Sequence, residues 1–436
     1  MIQENGIKLA TPTADQLAWQ DLAMGMFIHY APNSWQVTQG EGDNLSTPLD
    51  KINPTKLDAA QWVDVAEAMG AKFIVFTAKH YGGFCMWPTK TTQYSIANTP
   101  WKGGKGDVCR ELADECKKRH MPLGFYISPA DLHWGVRPGG ISRSGYPAHQ
   151  KLYNQYYSEQ LKELFTGYGD LVEVWFDGSA DTAVVKPLLE RYQPHAMVFC
   201  SGAATMRFIG NESGCAPYPT WNTVSSDALE KMWPYCGDPP CGHGPAATQG
   251  KDITPVWLPA ESCTTSRSGY WFWSPDNAGY LHPVEKMMQI YYETVGRNCV
   301  LLMNQTPDPS GLIPERDARR AAQFGAEIRK RLEQPLAETM GDGDELELTL
   351  PAAAMVDHII LMEDTTRGER VLQYYVEALD QANNNWVPLS VGSAVGHRKI
   401  DVVNASVPTQ KVRLKIVKAM LPPAIRKFAV YGTPLA

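Results

Sequence analysis

Short apolar segments alternate with amphipathic segments through most of the chain. The apolar segments are rich in Val, Ile and aromatic residues, which is typical of buried strands. The amphipathic segments repeat apolar residues three and four positions apart, which predicts helices that pack on one face. The predicted strands cover 24–30, 71–80, 123–128, 171–178, 196–200, 206–210, 255–261 and 298–304, and the predicted helices cover about 55–69, 106–119, 148–167, 283–296 and 315–333.

This alternation predicts an α/β fold. Strands that alternate with helices at this spacing form a mainly parallel sheet. Seven or eight such units fit a (β/α)8-like barrel better than an open sheet. No G-x-G-x-x-G follows a predicted strand, which argues against a dinucleotide-binding sheet.

Past residue 340 the pattern changes to short alternating segments without helices between them, at 344–350, 358–362, 371–378, 412–417 and 427–431. Apolar and polar residues that alternate in this way predict a C-terminal all-β sandwich. We therefore expect a barrel domain over 1–337 and a galactose-binding-like β-sandwich over 338–436. The sandwich either binds sugar or braces the barrel, and bracing is the simpler expectation.

Composition excludes several classes of function. With 436 residues, of which 44% are hydrophobic, the chain can bury a large core. Its net charge of −7 offers no basic surface to nucleic acid or to an anionic membrane. No apolar run is long enough to span a bilayer, and no signal-peptide pattern is visible. The nine cysteines include no C-x-x-C pair, although Cys236 and Cys241 are close enough in sequence to form a local disulfide.

Polar residues follow several predicted strands at the point where each strand ends. Parallel barrel strands gather such residues at one face, where barrel enzymes place their catalytic groups. Two carboxylates among His and Trp side chains suggest hydrolysis of a glycosidic bond, which needs one ionised carboxylate and one protonated acid. The strand-end residues are His29, His80, Asp177, Glu212 and Glu261.

Other interpretations remain open at this point. A histidine at a strand end is more often a hydrogen-bonded structural residue. A metal-dependent hydrolase would use His29, His80 and Asp177 as ligands, although we expect neither a metal nor a cofactor. A barrel glycosidase for another sugar, such as an α-galactoside, and a non-catalytic glycan-binding barrel are the further alternatives.

Four segments resemble the motifs of α-L-fucosidases of glycoside hydrolase family 29 and keep the order of that family, and a fifth adds to the match. The resemblance spans most of residues 20–315. The resemblance implies a catalytic barrel followed by a β-sandwich. The segments are Phe27-Ile-His-Tyr30, Thr77-Ala-Lys-His-Tyr-Gly-Gly-Phe-Cys-Met-Trp87, Trp175-Phe-Asp-Gly178, Arg207-Phe-Ile-Gly-Asn-Glu-Ser-Gly214 and Trp257-Leu-Pro-Ala-Glu261, the last continuing to Gly269-Tyr-Trp-Phe-Trp273.

The resemblance also implies roles for individual residues. The family uses a retaining mechanism, in which Asp177 matches the nucleophile. In the branch that cleaves α1,3- and α1,4-linked fucose, the acid/base matches Glu212, with Glu261 as its rival. Hydrophobic contact with the fucose methyl group is expected from Trp273 or Phe272. The expected substrate-binding residues are His29, His80, Tyr81, Trp87, Trp175, Glu261, Arg267 and Trp273.

One motif departs from the family pattern. The family commonly has two adjacent histidines and an aspartate where this chain has His80-Tyr81-Gly82. The Tyr81 phenol can still hydrogen-bond, but it carries no positive charge at neutral pH, and the aspartate charge is lost. This departure bears on the hydroxyl pattern of the substrate more than on the chemistry.

The resemblance further implies the partners and the compartment. We expect a fucosylated oligosaccharide or glycoconjugate as substrate, no nucleic acid and no membrane insertion, with the oligomeric state left open. The polysaccharide and mucin-type substrates of the family imply a periplasmic or secreted protein.

Overall fold

The computed structural model describes residues 1–36, 43–227 and 241–434. Eight parallel strands follow one another around a barrel in chain order, and the eighth pairs with the first. A bridge between Phe199 and Met206 joins the fifth strand to the sixth, so the barrel is nearly closed. The strands are β1 (Met24–Ile28), β2 (Ile74–Lys79), β3 (Leu123–Ile127), β4 (Glu173–Ala180), β5 (Met197–Ser201), β6 (Arg207–Phe208), β7 (Ala260–Thr265) and β8 (Cys299–Gln305).

Helices surround this barrel, and every predicted helix is present. Among the described residues, two further helices, α1 and α5, are not predicted from the sequence. Helix α1 buries the polar Gln16 and Gln20, which obscures its apolar period, and α5 contains Pro187, a residue that usually breaks helices. The helices are α1 (Ala14–Leu22), α2 (Ala59–Met69), α3 (Val108–Arg119), α4 (Pro147–Gly167), α5 (Thr182–Tyr192), α6 (Val284–Thr294) and α7 (Glu315–Leu332).

The middle of the barrel departs from strict alternation of strand and helix. Only five residues, 202–206, connect β5 to β6, which leaves no room for a helix. The predicted strand over 206–210 forms only at Arg207–Phe208. The predicted strand over 255–261 divides into Pro255–Trp257, which pairs with Thr223–Ser225, and the start of β7.

Alternate residues of the strands fill the barrel interior, as the period of two requires. On β4 this rule puts Glu173, Trp175 and Asp177 on the inner face. Trp175 packs there with residues from the neighbouring strands and with Trp19 of α1. This interior cluster also contains Phe27, Val75, Tyr126, Phe199, Cys263 and Leu302.

The C-terminal region is an antiparallel all-β structure of seven strands. Its longest strand is shared, because the first part of β10 pairs with β14 and the second part pairs with β13 and β15. This arrangement confirms the predicted sandwich. The strands are β9 (Ala337–Asp342), β10 (Glu345–Glu363), β11 (Val371–Asp380), β12 (Asn385–Gly392), β13 (Lys399–Val402), β14 (Thr409–Ala419) and β15 (Ala424–Pro434).

A buried carboxylate fastens this β-structure to the barrel. Glu369 accepts hydrogen bonds from the backbone N–H groups of Asn222 and Thr223 at 2.9 and 3.0 Å. It also accepts from the side-chain amide of Asn298 at 2.9 Å. Apolar residues of β10 and β15, among them Ile360 and Tyr431, belong to the same hydrophobic cluster as the barrel helices. These contacts suit a bracing role, while the domain boundary at 337/338 and the galactose-binding-like assignment stay predictions.

The local disulfide that the spacing of Cys236 and Cys241 allows does not form. Cys241 carries a free thiol, and Cys236 lies outside the described residues. Cys200, by contrast, is disulfide-bonded, which the sequence did not indicate.

Candidate active site

A small pocket, with a cavity volume of about 80 Å³, opens at the carboxyl ends of the barrel strands. Six of the predicted site residues line it, together with Phe27, Tyr126, Cys263 and Trp271. The predicted residues that the structure brings together are His29, His80, Tyr81, Trp175, Asp177 and Glu212.

Asp177 reaches the pocket from a sharp turn within β4. Gly178 and Ser179 both adopt left-handed backbone conformations, with φ of 69° and 70°. A side chain at position 178 would also collide with Pro138, whose Cβ lies 2.6 Å from where the added Cβ atom would be. Glycine is therefore required there, and the turn points the carboxylate outwards.

Burial and two hydrogen bonds determine the direction in which the pKa of Asp177 shifts. Desolvation by the walls of the pocket raises its pKa, although the residue keeps a solvent-exposed surface. The Tyr126 hydroxyl donates to Oδ2 at 2.8 Å, and the Gly178 backbone N–H also donates to the carboxylate; both bonds lower the pKa. The net shift is upward, so this carboxylate is more basic than a free aspartate.

Glu212 reaches the pocket from the loop after β6. Asn211 shapes this loop, because its Oδ1 accepts hydrogen bonds from the backbone N–H and the hydroxyl of Ser213. Ser213 forms a bridge with Thr264 of β7. The Trp271 indole N–H donates to Glu212 Oε2 at 3.1 Å. Desolvation and the charge of Asp177 raise the pKa of Glu212, against the effect of the Trp271 bond.

Two buried histidines form the opposite wall. Asn304 donates to the Trp271 carbonyl, which leaves its Oδ1 to accept from His29 Nδ1 at 2.9 Å. His29 Nε2 is then the unprotonated nitrogen. Burial lowers the pKa of His29 well below its usual value and that of His80 to about 3. Both rings are therefore neutral at pH 7, and His80 Nδ1 makes no hydrogen bond to the described protein atoms.

Four predicted binding residues lie away from the pocket. Glu261 is fully buried beneath it, where it accepts from the Trp175 indole at 2.8 Å. The Trp87 indole donates to Glu163 on α4. Arg267 forms a buried ion pair with Asp317 of α7 at 2.6 Å. Trp273 is half-exposed and is not part of the lining.

Four lining residues were missed, and each had a partial signal. Phe27 and Tyr126 alternate with residues of predicted strands, so the inward period could have found them. Cys263 follows Glu261 by two positions on β7. Trp271 stood in a motif, but the loop after β7 has no regular period, so nothing distinguished it from Phe272 or Trp273.

The space beside Gly82 is occupied by a carboxylate from a distant loop. A Cβ atom at position 82 would collide with the Asp43 carboxylate. Asp43 is buried, and it accepts hydrogen bonds from Gln36 and from the Tyr94 hydroxyl. A carboxylate therefore lies next to position 82 although residue 82 has no side chain.

The metal interpretation finds no support in the arrangement of side chains. Within residues 1–36, 43–227 and 241–434, no group of three or more His, Cys, Asp or Glu side chains is placed to hold a metal ion. His29 Nδ1 is hydrogen-bonded to Asn304, and Asp177 is hydrogen-bonded to Tyr126.

In the part of the chain that the structure describes, no helix is long and apolar enough to cross a bilayer.

The chain is similar in sequence and structure to known proteins over most of its length. Residues 8–331 match the family model described as alpha-L-fucosidase. Alpha-L-fucosidase 1 of Arabidopsis thaliana is 29% identical, over 97% of this chain and 88% of its own length. A crystal structure of a glycoside hydrolase 29 family member from an unknown rumen bacterium is 31% identical, with a TM-score of 0.82 over 99% of this chain and 78% of that one. A crystal structure from Bacteroides thetaiotaomicron VPI-5482 is 31% identical, with a TM-score of 0.87 over 98% and 100% of the two chains.

Proposed function

The chain belongs to the alpha-L-fucosidase family of glycoside hydrolases, and from this premise we propose that it is a retaining exo-α-L-fucosidase. It removes terminal α-linked fucose from glycans through a covalent fucosyl-enzyme intermediate. The observation that carries the proposal is the pair of carboxyl groups in one pocket, because desolvation and the charge of Asp177 raise the pKa of Glu212. A retaining glycosidase needs an ionised and a protonated carboxyl group side by side.

In the first step, Asp177 attacks the anomeric carbon as a carboxylate. The glycosidic C–O bond breaks, and its electron pair goes to the leaving oxygen, which takes a proton from Glu212. The Tyr126 hydroxyl and the Gly178 N–H stabilise the ionised form of Asp177 before the attack. The products of this step are the fucosyl ester of Asp177 and the released aglycone.

In the second step, water hydrolyses that ester. Glu212 is now a carboxylate and takes a proton from the attacking water. The new C–O bond forms on the face that the leaving group vacated, and the ester bond to Asp177 breaks. Two inversions give net retention, which requires the two carboxyl groups to lie about 5–5.5 Å apart.

The neutral histidines are suited to the sugar hydroxyls. His29 Nε2 is an acceptor, and His80 Nδ1 has no hydrogen-bond partner among the described residues. Trp271 and Trp175 supply aromatic surface for the C–H faces and the methyl group of fucose. Trp271 takes the role expected of Trp273, because it is the tryptophan of this loop that lines the pocket.

We further propose that the substrates are branched glycans with α1,3- or α1,4-linked fucose. The support is the motif Gly210-Asn-Glu-Ser-Gly214, which resembles that of the branch with this preference. Location in the periplasm or outside the cell is proposed on the same basis, since such glycans occur there.

The test measures fucose release from an aryl α-L-fucoside and from a Lewis-type branched trisaccharide, with an aryl α-galactoside as the competing sugar. We expect release from the trisaccharide by wild type and none by Asp177→Ala. Proton NMR of the first-formed fucose should show the α anomer. Release of the β anomer first would overturn the retaining mechanism, and release from the aryl fucoside alone would overturn the linkage preference.

A further inference from the structure

Two glutamates occupy the barrel interior below the pocket, and the proposed chemistry uses neither. Glu173 lies on β4 and Glu261 on β7, and neither has any exposed surface. Gly124 on β3 leaves space for the first of them, since a Cβ there would lie 3.1 Å from the Cβ of Glu173. We call these two residues the floor pair.

Two of the four carboxyl oxygens of the floor pair receive no hydrogen bond from a residue outside the pair in the described part of the chain. Glu173 Oε2 accepts from the Trp19 indole at 3.0 Å, and Glu261 Oε1 accepts from the Trp175 indole at 2.8 Å. The remaining oxygens, Glu173 Oε1 and Glu261 Oε2, have no partner other than each other among the described residues. Two carboxylates are acceptors only. A proton between these two oxygens would satisfy both.

No cation replaces that proton in the described part of the chain. The groups that act on the two carboxyls there are each other and the two indoles. The neighbouring titratable groups are the thiols of Cys263 on β7 and Cys299 on β8, whose own pKa values are raised mainly by burial, so both are neutral. Arg207 on β6 donates to the Trp221 carbonyl at 2.7 Å. Burial raises the pKa of both glutamates. Glu261 raises the pKa of Glu173 further, whereas the hydrogen bond from Glu173 lowers that of Glu261, as expected when one proton lies between the two carboxyls.

The floor pair is connected to the pocket through Trp175. The ring of Trp175 stacks on Phe199 at 3.6 Å between centroids, and it also stacks on Tyr126 at 5.6 Å. Tyr126 donates to Asp177. The indole N–H of Trp175 bonds to Glu261, which fixes the rotation of a ring that forms part of the pocket wall.

We propose that Glu173 and Glu261 share one buried proton and thereby position Trp175 beneath the sugar. The two glutamates are positioning residues, and their proton is not consumed in turnover. This inference rests on the proposed function for its effect on the sugar, but the state of the floor pair is independent of it. Loss of the proton leaves two buried like charges, which drives the carboxyls apart and releases the hold on Trp175.

Glu173→Gln tests the shared proton. The new side-chain amide accepts from Trp19 through its oxygen and donates permanently to Glu261 through its N–H, so the connection remains when Glu261 is ionised. A carboxyl whose pKa is higher in the folded than in the unfolded chain adds stability at low pH and loses it as pH rises. We therefore expect the thermal unfolding temperature of wild type to fall, from pH 5 to pH 9, relative to that of Glu173→Gln. Parallel profiles would overturn the proposal, and this arm needs no turnover.

The kinetic arm tests the positioning of Trp175. The KM of wild type for an aryl α-L-fucoside should rise at alkaline pH, by at most about tenfold per pH unit for one proton, while that of Glu173→Gln stays flat. The control is Glu363→Gln in the β-structure, where another buried glutamate accepts three backbone N–H bonds. It should lower stability but leave the pH dependence of KM as in wild type. The same rise in KM for Glu173→Gln as for wild type would overturn the positioning role.

Glu261→Gln is the second variant, in which the amide oxygen still accepts from Trp175 and the N–H donates to Glu173. It should match Glu173→Gln in both arms. Failure of both variants to fold would also overturn the proposal, because an amide would then be unable to replace the shared proton.

Discussion

The barrel holds two carboxyl pairs at different depths, and they differ in what surrounds them. Asp177 and Glu212, which we call the rim pair, are open to the pocket and receive hydrogen bonds from Tyr126 and Trp271. Glu173 of the floor pair lies four residues before Asp177 on β4, and both floor carboxyls are sealed from solvent. In the proposed mechanism, the rim pair divides into an anion and an acid that exchange protons with substrate and water, whereas the proposed floor pair keeps one proton that solvent cannot reach. On these proposals, depth in the barrel distinguishes a carboxyl pair suited to reaction from one suited to holding structure.

The largest expected effect comes from removing the anion of the rim pair. Asp177→Ala should lower kcat for an aryl α-L-fucoside by at least roughly 10³-fold, since no covalent intermediate can form. Azide should restore part of the activity and give a β-fucosyl azide, because a small anion fits the space of the carboxylate. Stopped assays with product analysis check both points. Full activity in the variant would remove Asp177 from the mechanism.

Replacing Glu212, the proposed acid of the rim pair, should lower the rate less than replacing Asp177. The matching replacement of Glu261 compares the rim pair with the floor pair directly. Glu212→Gln should lower kcat/KM for the branched trisaccharide by about 10²–10⁴-fold, the usual contribution of general acid catalysis. An aryl fucoside with a good leaving group should lose less, because its departure needs no proton. Glu261→Gln should lose much less on the trisaccharide. The reverse order of the two variants would make Glu261 the acid/base.

The Tyr126 hydroxyl donates a hydrogen bond to Asp177, the proposed anion of the rim pair. Removing this hydroxyl should shift the acid limb of the pH–activity profile. The hydrogen bond from Tyr126 lowers the pKa of Asp177. Tyr126→Phe should therefore raise that pKa and move the loss of activity on acidification to higher pH. At the pH optimum, we expect a roughly tenfold to hundredfold loss of kcat/KM, from one hydrogen bond to a charged group. An unchanged acid limb would show that a group other than Asp177 titrates there.

The smallest expected effect is on the alkaline limb of the pH–activity profile. The Trp271 N–H lowers the pKa of Glu212, so Trp271→Phe should move the alkaline limb to higher pH, with a loss of severalfold in kcat/KM. Trp273→Phe is the matched control, because Trp273 does not line the pocket. Equal shifts in both variants would mean that the loop as a whole, rather than this one bond, sets the acidity of Glu212.

The order of strands and helices could be predicted from the sequence because each barrel unit carries its own signal. Buried parallel strands are continuous apolar runs, and the helices that cover them are amphipathic. The signal fails where a unit is incomplete. The five-residue connection before β6 and the polar inner face of α1 follow from packing against the rest of the barrel, which no local window contains.

The site could be predicted in part, for a related reason. His29, His80 and Asp177 lie at or near the ends of predicted strands, so the fold gathers them, and Glu212, which its motif singled out, lines the same pocket. Glu261 also ends a predicted strand, but the structure continues that strand as β7 from Ala260 to Thr265. An error of a few residues in the strand end therefore moved Glu261 from the barrel floor to the rim in the prediction.

The carboxylate beside Gly82 has a consequence for engineering this enzyme. Substitution toward a family consensus is commonly stabilising, and at this position the consensus would suggest aspartate. Asp43 already occupies the space in which the new Cβ would begin. Gly82→Asp alone would therefore force two like charges together. Only the exchange of both residues, Gly82→Asp with Asp43→Gly, would transfer the charge from one loop to the other.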